Sequence, residues 1–209
     1  MTVAVSNAPL AAVALPARGP LARPWVRDVV LVAAAIGLLS AVSQVAFEVP
    51  FSSNRTGELV PITGQTFGVL LIGVTLGMRR GVAAVIGYLA IGLLGAPVYA
   101  HANSGAAALF SGADSGYLWG FILAAAFVGW CADRGLDRGR WLYVVLLIGN
   151  ALIYAVALPV LALWLSRHGI PVSTLDAGLW PFIPGDLLKL AGAAVAVPAA
   201  WSAVQRFQR

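Results

Sequence analysis

An acidic and a basic side chain lie three residues apart at the start of the last apolar stretch of the chain. Asp186 and Lys189 follow Pro184, which suits the first turn of a helix, and Lys189 is the only lysine. A spacing of three residues places both side chains on one helical face. Charges at membrane depth are costly and usually functional. The pair therefore indicates either a local ion pair or a polar ligand site, with a carboxylate for N–H groups and an ammonium for an anion.

The composition places this pair in a membrane protein. Of 209 residues, 60% are hydrophobic and 10% are charged, and the mean hydropathy is +0.89. The apolar runs are long and continuous rather than alternating, which favours helices over a β-barrel. We therefore predict an all-α membrane protein with a single membrane domain.

Several classes of function are disfavoured by residue usage. The net charge of +5 comes from arginines in loops, which membrane topology explains better than nucleic-acid binding. Cys131 is the only cysteine, and His101 and His168 are the only histidines, so neither a disulfide nor a metal centre is expected. A Gly-rich ATP-binding loop is absent from the sequence. We predict no cofactor, no metal and no ATP hydrolysis by this chain.

The apolar segments predict six transmembrane helices. Residues 1–24 are expected to form a flexible cytoplasmic tail, 25–204 the membrane domain, and 205–209 a second cytoplasmic tail. Residues 98–115, which contain no Lys or Arg, are interpreted as a re-entrant or lid-like segment, whereas 79–81 are expected to form a tight basic turn. The six spans are predicted at about 29–47, 62–78, 82–94, 116–131, 141–165 and 184–201.

The distribution of arginines orients these spans in the plasma membrane. With six spans both termini share one side, and that side holds ten arginines against two, Arg55 and Arg167, on the other. Positively charged loops stay in the cytoplasm, so we predict cytoplasmic termini. Asp186, Lys189 and Tyr117 then lie at the extracellular end, where they would form a site for a ligand from outside the cell.

Two further patterns have more than one interpretation. Thr63, Gln65 and the neighbouring Thr66 make the start of the second span unusually polar, so they would cap the helix, bond to another helix or touch a ligand. Small residues repeat every four positions in the first span, and such a stripe lets another helix approach closely. That helix would belong either to this chain or to a partner. The stripe consists of Ala33, Gly37 and Ala41.

Five motifs in a fixed order resemble the BioY family. They are VPITGQT at 60–66, LG at 76–77, GLLGAPVYA at 92–100, SGYLWGF at 115–121 and FIPGDLLK at 182–189. The resemblance implies a biotin-binding S component of an energy-coupling-factor (ECF) transporter rather than an enzyme. It further implies partners: a transmembrane coupling protein, for which the small-residue stripe would be the docking face, and two ATPases.

The resemblance also implies roles for the polar residues. The carboxylate of Asp186 would accept N–H groups of the cyclic urea of biotin, and Asn103 or Gln65 would donate to the urea oxygen. Lys189 would bind the valerate carboxylate. Tyr117 and Trp180 would pack on the ring system. Thr63 is expected to belong to the same substrate-binding site.

The chain departs from the family pattern in two places. The sequence has no Lys or Arg between Arg80 and Arg134, so valerate recognition is expected to depend more heavily on Lys189. The loop at 48–61 is long and polar, and its role stays open.

Three alternatives to biotin capture are considered. An S component for another vitamin would keep the fold without the PGDLLK pattern. A rhomboid-type protease would need a Gly-x-Ser-Gly nucleophile and a histidine within a span, but Ser115 follows Ala113-Asp114 and both histidines fall in loops. A membrane subunit without a ligand has the same hydropathy, although the convergence of polar groups at one end argues against it.

Overall fold

The structure, a computed structural model, describes residues 9–10, 19, 23–47 and 62–207. The described residues between 23 and 207 contain eight α-helices, a pair of two-residue strands and a 3-10 turn at Ala100–Ala102. The loop at 48–61, most of the predicted N-terminal tail and Arg209 lie outside the described residues. In chain order, the elements are α1 Pro24–Ser43, β1 Ala46–Phe47, β2 Ile62–Thr63, α2 Gln65–Leu76, α3 Met78–Leu93, α4 Gly105–Phe110, α5 Ser115–Ala132, α6 Arg140–Arg167, α7 Thr174–Gly178 and α8 Ile183–Phe207.

The predicted class of all-helical membrane protein is confirmed. Within the described residues, four stretches are long and apolar enough to cross a membrane: α1, α5, α6 and Thr174–Ser202, which holds α7 and α8 as far as Ser202. Helix α2 is equally apolar but has only 12 residues. Helix α3 has 16 residues and carries two arginines in its first turn.

Helix α5 lies at the centre of the fold, packed against α6, α2 and α3. Its contact with α6 depends on glycine, because a Cβ at Gly120 would lie 2.9 Å from the Cα of Ile153. Gly116 lies equally close to α6, with Ala157 Cα at 2.8 Å from such a Cβ. Small residues bring the two helix backbones together, as expected where van der Waals packing holds membrane helices.

The prediction of a tight basic turn at 79–81 is wrong. The turn lies at Gly77, whose φ of +78° suits glycine, and Arg79 and Arg80 belong to the first turn of α3. The Asp133 carboxylate, in the α5–α6 loop, accepts the Met78 N–H at 3.0 Å and so caps α3. Helix α3 therefore starts four residues before the predicted third span.

The first two helices are shorter than the predicted spans at the ends that the connecting loop joins, the C-terminus of α1 and the N-terminus of α2. Helix α1 ends at Ser43, and Ala46 and Phe47 pair antiparallel with Thr63 and Ile62. Hydropathy does not distinguish an apolar strand from the end of an apolar helix.

The segment between α3 and α5 contains two short helical turns and packs on the end of the bundle. Gln44 ties it to α1, because its Nε2 donates to Tyr99 O at 3.0 Å and its Oε1 accepts from the Ala102 N–H at 3.1 Å. The Tyr99 hydroxyl donates to Leu89 O at 2.6 Å. The segment is thus bonded to two helices rather than free in solvent.

The opposite end of the bundle is rich in arginine, and an ion pair and a hydrogen bond join its elements. Arg80 Nη2 lies 2.6 Å from Asp28 Oδ1 and so joins α3 to α1. Asp137, in the α5–α6 loop, accepts from Trp201 Nε1 at 2.9 Å and so holds the last turns of α8. Burial raises the pKa of the Asp137 carboxyl above its ordinary value, an effect that the Trp201 hydrogen bond and the Arg138 charge oppose.

Candidate functional site

The site is organised around Asp186 in the first turn of α8. Pro184 is the second residue of this helix, and the Asp186 N–H donates to Phe182 O at 2.8 Å. Asp186 is only 5% exposed, and its carboxylate points into the bundle. A negative charge in the first turn is stabilised by the helix dipole, which explains in part why it is tolerated there.

Three side chains donate to the Asp186 carboxylate. Lys189 Nζ lies 3.1 Å from Oδ1, on the same face of α8. Asn150 Nδ2, at 3.1 Å, and the Tyr154 hydroxyl, at 2.5 Å, both donate to Oδ2 from α6. A buried carboxylate needs such partners, because burial without them is strongly unfavourable.

A pocket opens beside this carboxylate, at the end of the bundle opposite the arginine-rich end. Five of the predicted substrate-binding residues line it: Thr63, Gln65, Tyr117, Asp186 and Lys189. They come from β2 and from helices α2, α5 and α8. The remaining lining residues are Thr66, Asp114, Leu118, Phe121, Asn150, Ile153, Tyr154 and Phe182.

The polar start of α2 fulfils two of the three roles considered for it, capping the helix and bonding to another helix, whereas contact with a ligand stays a prediction. The Gln65 N–H donates to Thr63 Oγ1 at 3.2 Å, which caps the helix. Gln65 Nε2 donates to the Tyr88 hydroxyl of α3 at 2.8 Å, and Thr63 Oγ1 donates to Gln65 Oε1 at 2.8 Å. Thr63, Gln65 and Thr66 also line the pocket.

Aromatic rings form one wall of the pocket. Tyr117 packs edge-on against Tyr154, with ring centroids 6.0 Å apart, and against Phe182 at 6.2 Å. Its hydroxyl donates to Gly178 O of α7 at 2.5 Å. The Tyr117 ring is thereby held rigidly beside Asp186, in a position suited to packing on a ring system.

Two predicted contacts lie outside this pocket. Asn103 is exposed, and its Oδ1 accepts from the Ser104 N–H at 2.8 Å. Trp180 is 54% exposed and does not line the pocket. A role for either residue in ligand binding stays a prediction.

Residue-by-residue reasoning did not assign Asn150, Tyr154 or Asp114 to the site. Asn150 is a lone amide inside an apolar span, which is itself a sign of function. Tyr154 follows it by four residues and so lies on the same helical face. Asp114 immediately precedes α5, and burial raises the pKa of its carboxyl despite the opposing effects of a backbone hydrogen bond and the His101 charge.

The small-residue stripe of α1 lies on the surface of the bundle. Ala33, Gly37 and Ala41 are all exposed, and a Cβ at Gly37 would meet no atom within 4 Å. The stripe is therefore not used for packing among the described helices. Within the described ranges, no group of three His, Cys, Asp or Glu side chains is placed to hold a metal ion.

The fold and the pocket define a multi-pass helical membrane protein with a pocket of polar and aromatic side chains near one end. The chain belongs to the BioY family, whose sequence model matches residues 8–206. The family predicted from the five motifs is thus confirmed.

Individual relatives agree with the family. The probable biotin transporter BioY of Methanothermobacter thermautotrophicus is 41% identical over 129 residues, which are 58% of this chain and 82% of the relative. The biotin transporter BioY of Thermotoga maritima is 37% identical over 136 residues, 65% of this chain and 78% of the relative. The fold matches the crystal structure of the S-component for biotin from an ECF-type ABC transporter. That match has a TM-score of 0.68 at 23% identity and covers 83% of this chain and 90% of the other.

Proposed function

We propose that this chain is the biotin-binding S component of an ECF transporter in the plasma membrane. It captures biotin on the extracellular side and passes it inward with an ATP-driven module, and it is a transporter rather than an enzyme. The observation that carries this proposal is the buried Asp186 carboxylate in a pocket that Lys189 also lines. Membership of the BioY family and relatives named as biotin transporters support the same ligand.

The pocket offers a partner for each chemical part of biotin. The carboxylate of Asp186 suits a urea N–H, and the amide of Gln65 suits the urea oxygen. The rings of Tyr117 and Phe182 suit the apolar bicyclic core. Lys189 donates one N–H to Asp186 Oδ1, which leaves two ammonium protons for the valerate carboxylate.

We further propose six transmembrane helices, α1, α2, α3, α5, α6 and α8, with both termini in the cytoplasm. The ion pair of Arg80 with Asp28 and the contact of Asp137 with Trp201 lie at one end, whereas the pocket lies at the other. The positive-inside rule puts the arginine-rich end in the cytoplasm, so the pocket faces outward. Residues 25–204 then form the membrane domain, between cytoplasmic tails at 1–24 and 205–209.

The exposed stripe of α1 is proposed as the contact with the transmembrane coupling protein, which in turn binds two ATPases. Small residues let a partner helix approach closely, and membrane helices associate mainly through such packing. Ala33, Gly37 and Ala41 are exposed, and no described helix covers Gly37.

Equilibrium binding of radiolabelled biotin tests the proposal. The purified protein in detergent should bind biotin tightly, and Asp186→Asn and Lys189→Ala should each weaken binding, because each removes a charged partner. A folded wild type that does not bind biotin would refute the ligand and direct the search to other vitamins. If neither substitution changes biotin binding, biotin remains the ligand but its site lies elsewhere. Asp186 and Lys189 would then form a structural ion pair.

A further inference from the structure

Asn150 carries a buried acceptor that nothing in the described part of the chain satisfies. The residue is 7% exposed and lines the pocket, and its Oδ1 has no hydrogen-bond partner among the described residues. Buried polar atoms are nearly always paired in folded proteins, so such an exception requires an explanation.

The orientation of the Asn150 amide is set by its neighbour. Its Nδ2 donates to Asp186 Oδ2 at 3.1 Å. The reversed amide would place Oδ1 against that carboxylate oxygen, and two acceptors would repel each other. The carboxylate therefore holds Nδ2 toward itself, which leaves Oδ1 free to accept from another group.

The donors of the ligand require a second acceptor besides Asp186. The two N–H bonds of a cyclic urea lie on opposite flanks of its carbonyl and diverge, so one carboxylate oxygen cannot accept both. Of the Asp186 oxygens, Oδ2 already accepts from Asn150 and Tyr154, and only Oδ1 retains capacity beyond its bond to Lys189. One urea N–H can thus bind Asp186, and the other needs a different oxygen nearby.

We infer that Asn150 Oδ1 is this second acceptor, so that Asn150 and Asp186 each take one N–H of the urea. The inference rests on the proposed function. It makes Asn150 a specificity-determining residue that reads an N–H group of the ligand, rather than only a donor that positions Asp186. Tyr154, which donates to the same Oδ2, has the positioning role alone.

Two carbamate analogues of biotin test the inference, each with one ring N–H replaced by oxygen. They keep the size and shape of the ring but present an acceptor where biotin presents a donor. Binding of biotin and both analogues would be measured for the wild type, for Asn150→Leu, which has a similar volume, and for Tyr154→Phe as the matched control. Gel filtration and thermal unfolding would establish that each variant is folded, with Asn150→Ala as the second choice at that position.

We expect the wild type to prefer biotin over each analogue by roughly tenfold or more. Asn150→Leu should bind biotin and one of the analogues with affinities that agree within about twofold. It should keep the wild-type preference for biotin over the other analogue. Tyr154→Phe should weaken binding of all three ligands by a similar factor and keep both preferences.

Two results would overturn the inference and leave the proposed function intact. One is a wild type that binds biotin and either analogue with equal affinity. This result can be observed without any variant. The other is an Asn150→Leu protein that keeps both preferences, as Tyr154→Phe is expected to do. A wild type that does not bind biotin overturns the proposed function and the inference together.

Discussion

The hydroxyl of Tyr154 donates to Oδ2 of Asp186 across 2.5 Å and joins α6 to α8. The two residues are 32 positions apart in the chain. Together with Asn150, one turn earlier on α6, Tyr154 holds the carboxylate of Asp186 in one orientation beside the pocket. The site is therefore positioned by two helices, and its acidic group does not depend on Lys189 alone.

Removing the Tyr154 hydroxyl should weaken biotin binding. Hydrogen bonds to a charged group contribute about 1.5–3 kcal/mol, so Tyr154→Phe should lower the affinity roughly tenfold or more. Isothermal titration of biotin into the detergent-solubilised protein measures this loss. Tyr143→Phe is the matched control, since Tyr143 lies on the same helix but is 59% exposed. Equal affinities for the two variants would contradict a positioning role for Tyr154.

Lys189 should distinguish free biotin from its methyl ester. The wild type should prefer the free acid, because the ammonium pairs with the valerate carboxylate. Lys189→Met should bind both compounds with similar affinity, which competition against radiolabelled biotin would measure. Arg167→Met removes an exposed cation outside the pocket and should keep the wild-type preference. A Lys189→Met protein that still prefers the free acid would place the valerate elsewhere.

Tyr88→Phe should destabilise the fold at the pocket end of the bundle. The Tyr88 hydroxyl is buried, accepts from Gln65 Nε2 at 2.8 Å and donates to Val98 O at 2.9 Å. Its removal leaves the buried Gln65 amide without this acceptor, at a cost of about 1–3 kcal/mol, whereas Val98 O still accepts from the Ser43 hydroxyl. For a chain of this size, the midpoint of thermal unfolding should fall by roughly 2–4 °C per kcal/mol.

The same exposed tyrosine provides the control for this stability measurement. Tyr143→Phe removes a hydroxyl from the surface of α6 and should leave the unfolding midpoint within about one degree of the wild type, since surface changes are usually small. An unfolding midpoint for Tyr88→Phe that matches this control would show that the Gln65–Tyr88 bond contributes little to stability.

Gly37→Leu should separate ligand binding from transport. The side chain has open space around it in the isolated subunit, so biotin affinity and thermal stability should be unchanged. Close approach of a partner helix would be blocked, and biotin uptake by proteoliposomes containing the complete transporter should fall several-fold. Ala151→Leu places a leucine at an exposed position on a different helix, α6, and should preserve uptake. Normal uptake by Gly37→Leu would place the docking surface elsewhere.

The class, the family and the central pair of this protein could be predicted from the sequence. Long apolar runs identify membrane helices because burial in lipid acts on every residue of a span. Asp186 and Lys189 could be placed on one face of one helix because their separation of three residues is a local geometric relation. The polar start of α2 could be recognised because side chains such as Thr63 and Gln65 are unusual in a membrane segment.

Contacts between distant parts of the chain were decided by the tertiary structure. The position of the α2–α3 turn depends on Asp133, which caps α3 from another loop. The approach of Asn150 and Tyr154 to Asp186 depends on how α6 and α8 rotate against each other, and the exposure of Asn103 depends on how its segment packs. Hydropathy and spacing describe each helix separately, whereas the direction of a side chain between helices is set by packing, which only the folded chain defines.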